Sequence, residues 1–144
     1  MSGLELAAGI FAAVGFVDVV LKTGREVHSF LGDIKDAPKD LAALRDSLQR
    51  ALELADVSKN VLLDLANKKT SQAPGGVAPL LQQSLKGLDL ELRKLKSHLT
   101  RYKGTSRSWV NVKYVIDEHK ISKATSRIGS LKADLAAALT LASK

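Results

Sequence analysis

Apolar residues spaced alternately three and four apart over many turns leave a chain few options. On a 3.6-residue helix that spacing gathers them on one face, whereas a strand scatters them over both. The run from Val77 to Tyr102 keeps it without a break, through Leu81, Leu85, Leu88, Leu92, Leu95, Leu99 and Tyr102, with Lys86, Arg93, Lys94 and Lys96 at other positions. The spacing returns in Ile121, Ala124, Ile128, Leu131, Leu135, Ala138 and Ala142, which predicts a last helix from near Asp117 to the C-terminus. It also runs through Leu41, Leu44, Leu48, Ala51, Ala55, Leu62 and Leu65, with Ser58 as the one polar member of the stripe.

Breaks between these runs define the connections. Asp36-Ala37-Pro38 reads as a helix start, since Asp can cap free backbone N–H groups and Pro is tolerated in a first turn. Thr70 to Gly76, TSQAPGG, reads as a loop because Pro74 and Gly75-Gly76 interrupt a helix. From Lys103 to Ile116, Gly104-Thr105-Ser106 breaks the third helix and Trp109-Val110-Asn111-Val112 is expected to be short and extended or irregular. Ahead of all these, a first helix is expected from about Leu4 to Leu31, bent near Gly24, with Val27, Phe30, Leu31 and Ile34 continuing its periodicity. The expected fold is all-α: an antiparallel four-helix bundle with a very apolar N-terminal helix, one domain over residues 1–144.

Composition agrees with a packed core. Hydrophobic residues are 45% and charged residues 26% of a 144-residue chain, inside the range of single globular domains. No cysteine is present, which excludes disulfides, thiolate metal sites and cysteine nucleophiles and fits a reducing, intracellular compartment. The net charge of +7 is uneven: residues 1–67 carry 7 basic and 10 acidic side chains, residues 68–144 carry 15 and 5. The second half is therefore the part suited to an anionic partner.

Catalytic chemistry finds no footing. His28, His98 and His119 fall on different predicted elements, and none has a second ligand at helical metal-site spacing, so no metal or cofactor is expected. His28-Ser29 beside Asp33, and Asp117-Glu118-His119, contain the residue types of acid–base sets, but adjacent residues on a helix point apart. Phosphate-binding glycine motifs are missing, and an enzyme is not expected.

Two segments exceed the background. Leu4 to Leu21, LELAAGIFAAVGFVDVVL, is apolar apart from Glu5 and Asp18, and it lacks the positive lead of a signal peptide because its first basic residue is Lys22. Such a helix is buried whole, or it leaves water for lipid or another helix. Gly3, Gly9 and Gly15 read as helix-packing positions, since glycines weaken a helix unless close approach repays them. The other segment is Arg101 to Tyr114, where Arg101, Lys103, Arg107 and Lys113 interleave with Tyr102, Trp109 and Tyr114, and no acid occurs between Glu91 and Asp117. Three readings compete there: aromatics plugging the end of the bundle with solvated cations, contact with anionic lipid, and single-stranded nucleic acid binding. The nucleic-acid partner is the least favoured, and a purely structural adaptor bundle remains open for the whole chain.

The opening MSGLELAAGIFAAVGFVDVVLKTG, the KDAPKD from Lys35 to Asp40 and RIGSLKADLAAAL from Arg127 to Leu139 resemble the N-terminal domain of fungal STAND-type, NOD-like receptor proteins, the HeLo-like or HELL group. The resemblance implies a four-helix bundle related to the executioner domain of mixed-lineage kinase-like proteins. It also implies a cytoplasmic cell-death effector that oligomerises and moves to the plasma membrane. The membrane-active element would be the first helix, with Leu4, Leu6, Ile10, Phe11, Val14, Phe16, Val17, Val20 and Leu21 inserting and Phe11 and Phe16 facing lipid. Arg101, Lys103, Arg107, Trp109 and Lys113 would meet anionic headgroups. The chain ends at Lys144 with neither a nucleotide-binding receptor nor an amyloid signalling motif, so the expectation is an excised domain or a trigger on another protein, a NOD-like receptor.

Overall fold

The computed structural model describes residues 3–67, 76–102, 104 and 107–142; the side chains of residues 3–9 and 67 lie outside that description. In chain order the elements are α1 (Gly3–Gly32), α2 (Lys39–Asn67), α3 (Val77–Thr100), α4 (Trp109–Val112) and α5 (Glu118–Ala142). The described fold is all-helical, and each long helix carries one of the stripes that the spacing predicts.

The stripes meet in a single core. Leu41, Leu44, Leu48 and Leu62 of α2, Leu81, Leu85, Leu88 and Leu92 of α3, and Ile121, Ile128 and Leu135 of α5 are fully buried, as is Ile116 ahead of α5. Burying a side chain of this size contributes about 1.5–3 kcal/mol. Leu65 and Leu131 stand half-buried at the margins. Ser58 is completely buried, and its hydroxyl donates to the Leu54 carbonyl at 2.8 Å, so the polar member of the α2 stripe is satisfied within its own helix.

α1 packs on α2 and α3, α5 packs on the same two helices, and α2 barely touches α3. Gly32 lies beside Arg45, Gly24 beside Leu52, and Asp18 pairs with Lys59, so α1 and α2 are antiparallel. α3 and α5 are antiparallel too, with Gly87 against Leu131 and Glu91 paired with Arg127. α1 and α3 instead run parallel, with Glu26 on Lys96 and Phe30 on Tyr102, and α2 and α5 therefore do the same. Of the expected antiparallel bundle, the pairs α1–α2 and α3–α5 are antiparallel, while the other two packed pairs run parallel. α2 and α3 therefore stand diagonally across from one another.

Local expectations shift in two connections. Asp36 does not cap α2 but takes a left-handed backbone with φ 57°, a conformation Asp tolerates, and turns the chain. The carbonyl of Pro38 accepts from the N–H groups of Leu41 and Ala42 and opens the helix. Trp109 to Val112, expected to be extended or irregular, is the single-turn helix α4. The predicted loop from Thr70 lies outside the described residues except at Gly76, whose φ of 99° suits glycine and whose carbonyl accepts from Leu80.

Candidate membrane-facing site

α1 presents two apolar faces. Ile10, Ala13, Val17, Val20 and Leu21 are buried in the core, and Val14 and Phe16 are half-buried against it. The opposite face carries Phe11, 55% exposed, and Val19, 46% exposed, with Ala12 and Gly15 exposed between them. Positions 11, 15 and 19 follow one another at four-residue steps, so Phe11, Gly15 and Val19 form a continuous outward stripe. Of the side chains expected to enter a membrane, the structure therefore turns Phe11 outward and Ile10, Val17, Val20 and Leu21 inward. Leu4 and Leu6 lie outside the described side chains.

Two ion pairs fasten the edges of α1. Asp18 meets Lys59 of α2 at 2.9 Å, and Glu26 meets Lys96 of α3 at 2.8 Å. The Lys96 ammonium beside it holds the Glu26 carboxyl below its ordinary range. Exposed pairs of this kind contribute about 0–1 kcal/mol each.

Of the expected packing glycines, Gly15 is the one whose surroundings are described. A Cβ on Gly15 would meet nothing within 4 Å, so no neighbour in the fold requires a glycine there. Gly3 and Gly9 fall among the residues whose surroundings are not described. Close approach occurs instead at Gly24, where a Cβ would run into Leu52 Cδ2, and at Gly87, where it would stand 2.6 Å from Leu131 Cδ2. Neither approach is legible along the chain, because the partner residue lies on another helix.

The basic and aromatic segment divides. Arg107 donates to Asp33 at 2.9 Å and stacks its guanidinium 4.4 Å from the centre of the Phe30 ring. Phe30 in turn meets Tyr102 edge-on at 6.3 Å. The backbone knits the same corner: Lys35 N–H donates to the Arg107 carbonyl at 2.7 Å, and Trp109 N–H donates to the Lys35 carbonyl at 2.9 Å. Tyr102 and Trp109 are half-buried against the core, above buried Val112 and Ile116. Arg107 and Trp109, expected to contact lipid, thus belong to the closed end of the fold. Arg101 and Lys113 are exposed, and Lys113 lies 6.0 Å from the Tyr114 ring. Lys103 is outside the described residues. Tyr114, 81% exposed, is the ring of this segment that faces solvent, which leaves little of the stacking platform a nucleic-acid strand would need.

Among the described residues no helix is long and apolar enough to cross a membrane, and no group of three His, Asp or Glu side chains is placed to hold a metal ion. No family model matches the chain, and no curated protein or solved structure matches it either.

Proposed function

We propose that this chain is a membrane-targeting cell-death effector module of the fungal NOD-like-receptor type that its opening resembles. In this reading it is a four-helix bundle whose apolar N-terminal helix is sheltered at rest and passes to the membrane when copies assemble. Its partners are anionic lipids, further copies of itself and an upstream receptor that triggers assembly. The observation that supports the reading is the double apolar face of α1: Phe11, Ala12, Gly15 and Val19 already face outward, while Ile10, Val17, Val20 and Leu21 face inward.

The energetics favour lipid over water as the destination. Moving the four inward side chains into water loses about 1.5–3 kcal/mol apiece, whereas lipid tails are as apolar as the core and return most of that loss. Asp18, Lys22, Arg25 and Glu26 oppose a spanning arrangement, so α1 lies along the interface with its apolar faces in the acyl boundary. The basic second half of the chain supplies attraction to anionic headgroups.

The chain has no cysteine, which makes a crosslink unambiguous. The Cβ position of Gly24 stands 3.1 Å from Leu52 Cγ, close enough for a disulfide in the double variant Gly24→Cys/Leu52→Cys. Oxidised protein, with α1 tied to α2, is expected to keep its helical spectrum and leave anionic vesicles intact, and reduction is expected to restore leakage. Equal leakage from oxidised and reduced protein would sink the reading.

A further inference from the structure

Between α3 and α5, where α5 begins, lies a cleft of about 300 Å³. The antiparallel pairing of these helices brings Lys94 and His98 of α3 opposite His119, Lys120, Lys123 and Arg127 of α5, and the cleft has a single lining carboxylate, Glu91. Glu91 is buried and already accepts from Arg127 at 3.4 Å. Lys94, Lys120 and Lys123 make no ion pair among the described residues. Asp117, just ahead of α5, caps that helix by accepting from the Lys120 backbone N–H at 2.9 Å. Nδ1 of His98 is buried with no hydrogen-bond partner. Positive charge is therefore concentrated in a concave site between two helices, with the His98 ring among its lining groups.

We propose that this cleft binds a phosphate monoester or pyrophosphate group, held by Lys94, His98, Lys120 and Lys123. A phosphate monoester carries close to two negative charges and three acceptor oxygens in a compact volume, which suits several point-charge ammonium donors arriving from different directions. The group can belong to a lipid headgroup or to a soluble phosphate compound, and the lipid form rests on the membrane-targeting reading above. The cations expected to meet anions from sequence, Arg101 to Lys113, lie along one connection, while this site needs α3 and α5 side by side.

The test uses pyrophosphate as the soluble probe, followed by calorimetry and by the ring signals of His98 and His119 in NMR. Wild-type protein is expected to bind with the His98 ring signal moving. Lys120→Glu/Lys123→Glu is expected to lose about a hundredfold in affinity, about tenfold per cation. Lys39→Glu/Arg50→Glu, an equal change in net charge on α2, is expected to bind as wild type. The vesicle arm compares phosphatidylcholine carrying phosphatidylinositol bisphosphate with phosphatidylcholine carrying phosphatidylserine at matched surface charge. Preference for the bisphosphate that disappears in the cleft variant assigns the lipid source; pyrophosphate binding without that preference assigns the soluble one. A wild type that fails to bind pyrophosphate, or a cleft variant and an α2 variant that bind alike, overturns the proposal. Either result leaves the α1 reading standing, since the crosslink experiment judges that reading independently of the cleft.

Discussion

Gly15 and Gly24 share one helix and differ in what a methyl group would meet. At Gly15 it would meet nothing, so Gly15→Ala is expected to raise unfolding stability by about 1 kcal/mol through backbone entropy alone. At Gly24 the same change pushes on buried Leu52, so Gly24→Ala is expected to gain less or to lose stability. Urea midpoints of the two variants check the contrast. His98 offers a second residue-scale outcome. Burial, then Lys120, then Arg101, hold its ring pKa below the ordinary histidine value of 6.5, with Asp117 opposing them. The unfolded chain then takes the proton first as pH falls through about 6.5, and the folded state loses stability down to the lowered value. Unfolding followed from about pH 7.5 to about pH 5.5 is expected to show a smaller acid loss in His98→Gln than in wild type. Lys94, His119, Lys123, Arg127 and Glu91 line the same cleft, so the comparison is between variants rather than between absolute curves.

At the scale of the element, α1 separates two jobs that its composition runs together. Phe11→Glu/Val19→Glu alters only the outward face and is expected to leave stability within about 0.5 kcal/mol while abolishing association with anionic vesicles. Val17→Glu, on the completely buried face, is expected to unfold the chain, because a lone carboxylate in the core has no partner. Circular dichroism and vesicle co-sedimentation distinguish the two. Undiminished vesicle binding by the outward-face variant would remove that stripe from the mechanism. The short element α4 carries a related lesson: Trp109 and Arg107 read as surface chemistry in a linear stretch, yet the Lys35 backbone and the Phe30 ring recruit them to close the end of the molecule.

Across the whole molecule, periodicity was legible because it is a local property. A three-four spacing needs no partner to be recognised, and Leu81 to Leu99, Leu41 to Leu62 and, apart from half-buried Leu131, Ile121 to Ala138 are buried as that spacing predicts. The length of α1 and the start of α5 beside Asp117 follow from the same local rules. Neighbour relations are of another kind. Nothing local to α2 or α3 says that α3 packs on α1 in parallel and meets α5 instead of α2, since each stripe is satisfied by any helix that covers it. From that choice follow the outward turn of Phe11 and Val19 and the cleft that gathers Lys94, His98, Lys120 and Lys123. Spacing along one chain sets the helices and, in α2, α3 and α5, the face that is buried. The tertiary structure alone decided which side chains of different helices meet, because contacts between distant residues depend on packing order and leave no mark on local periodicity.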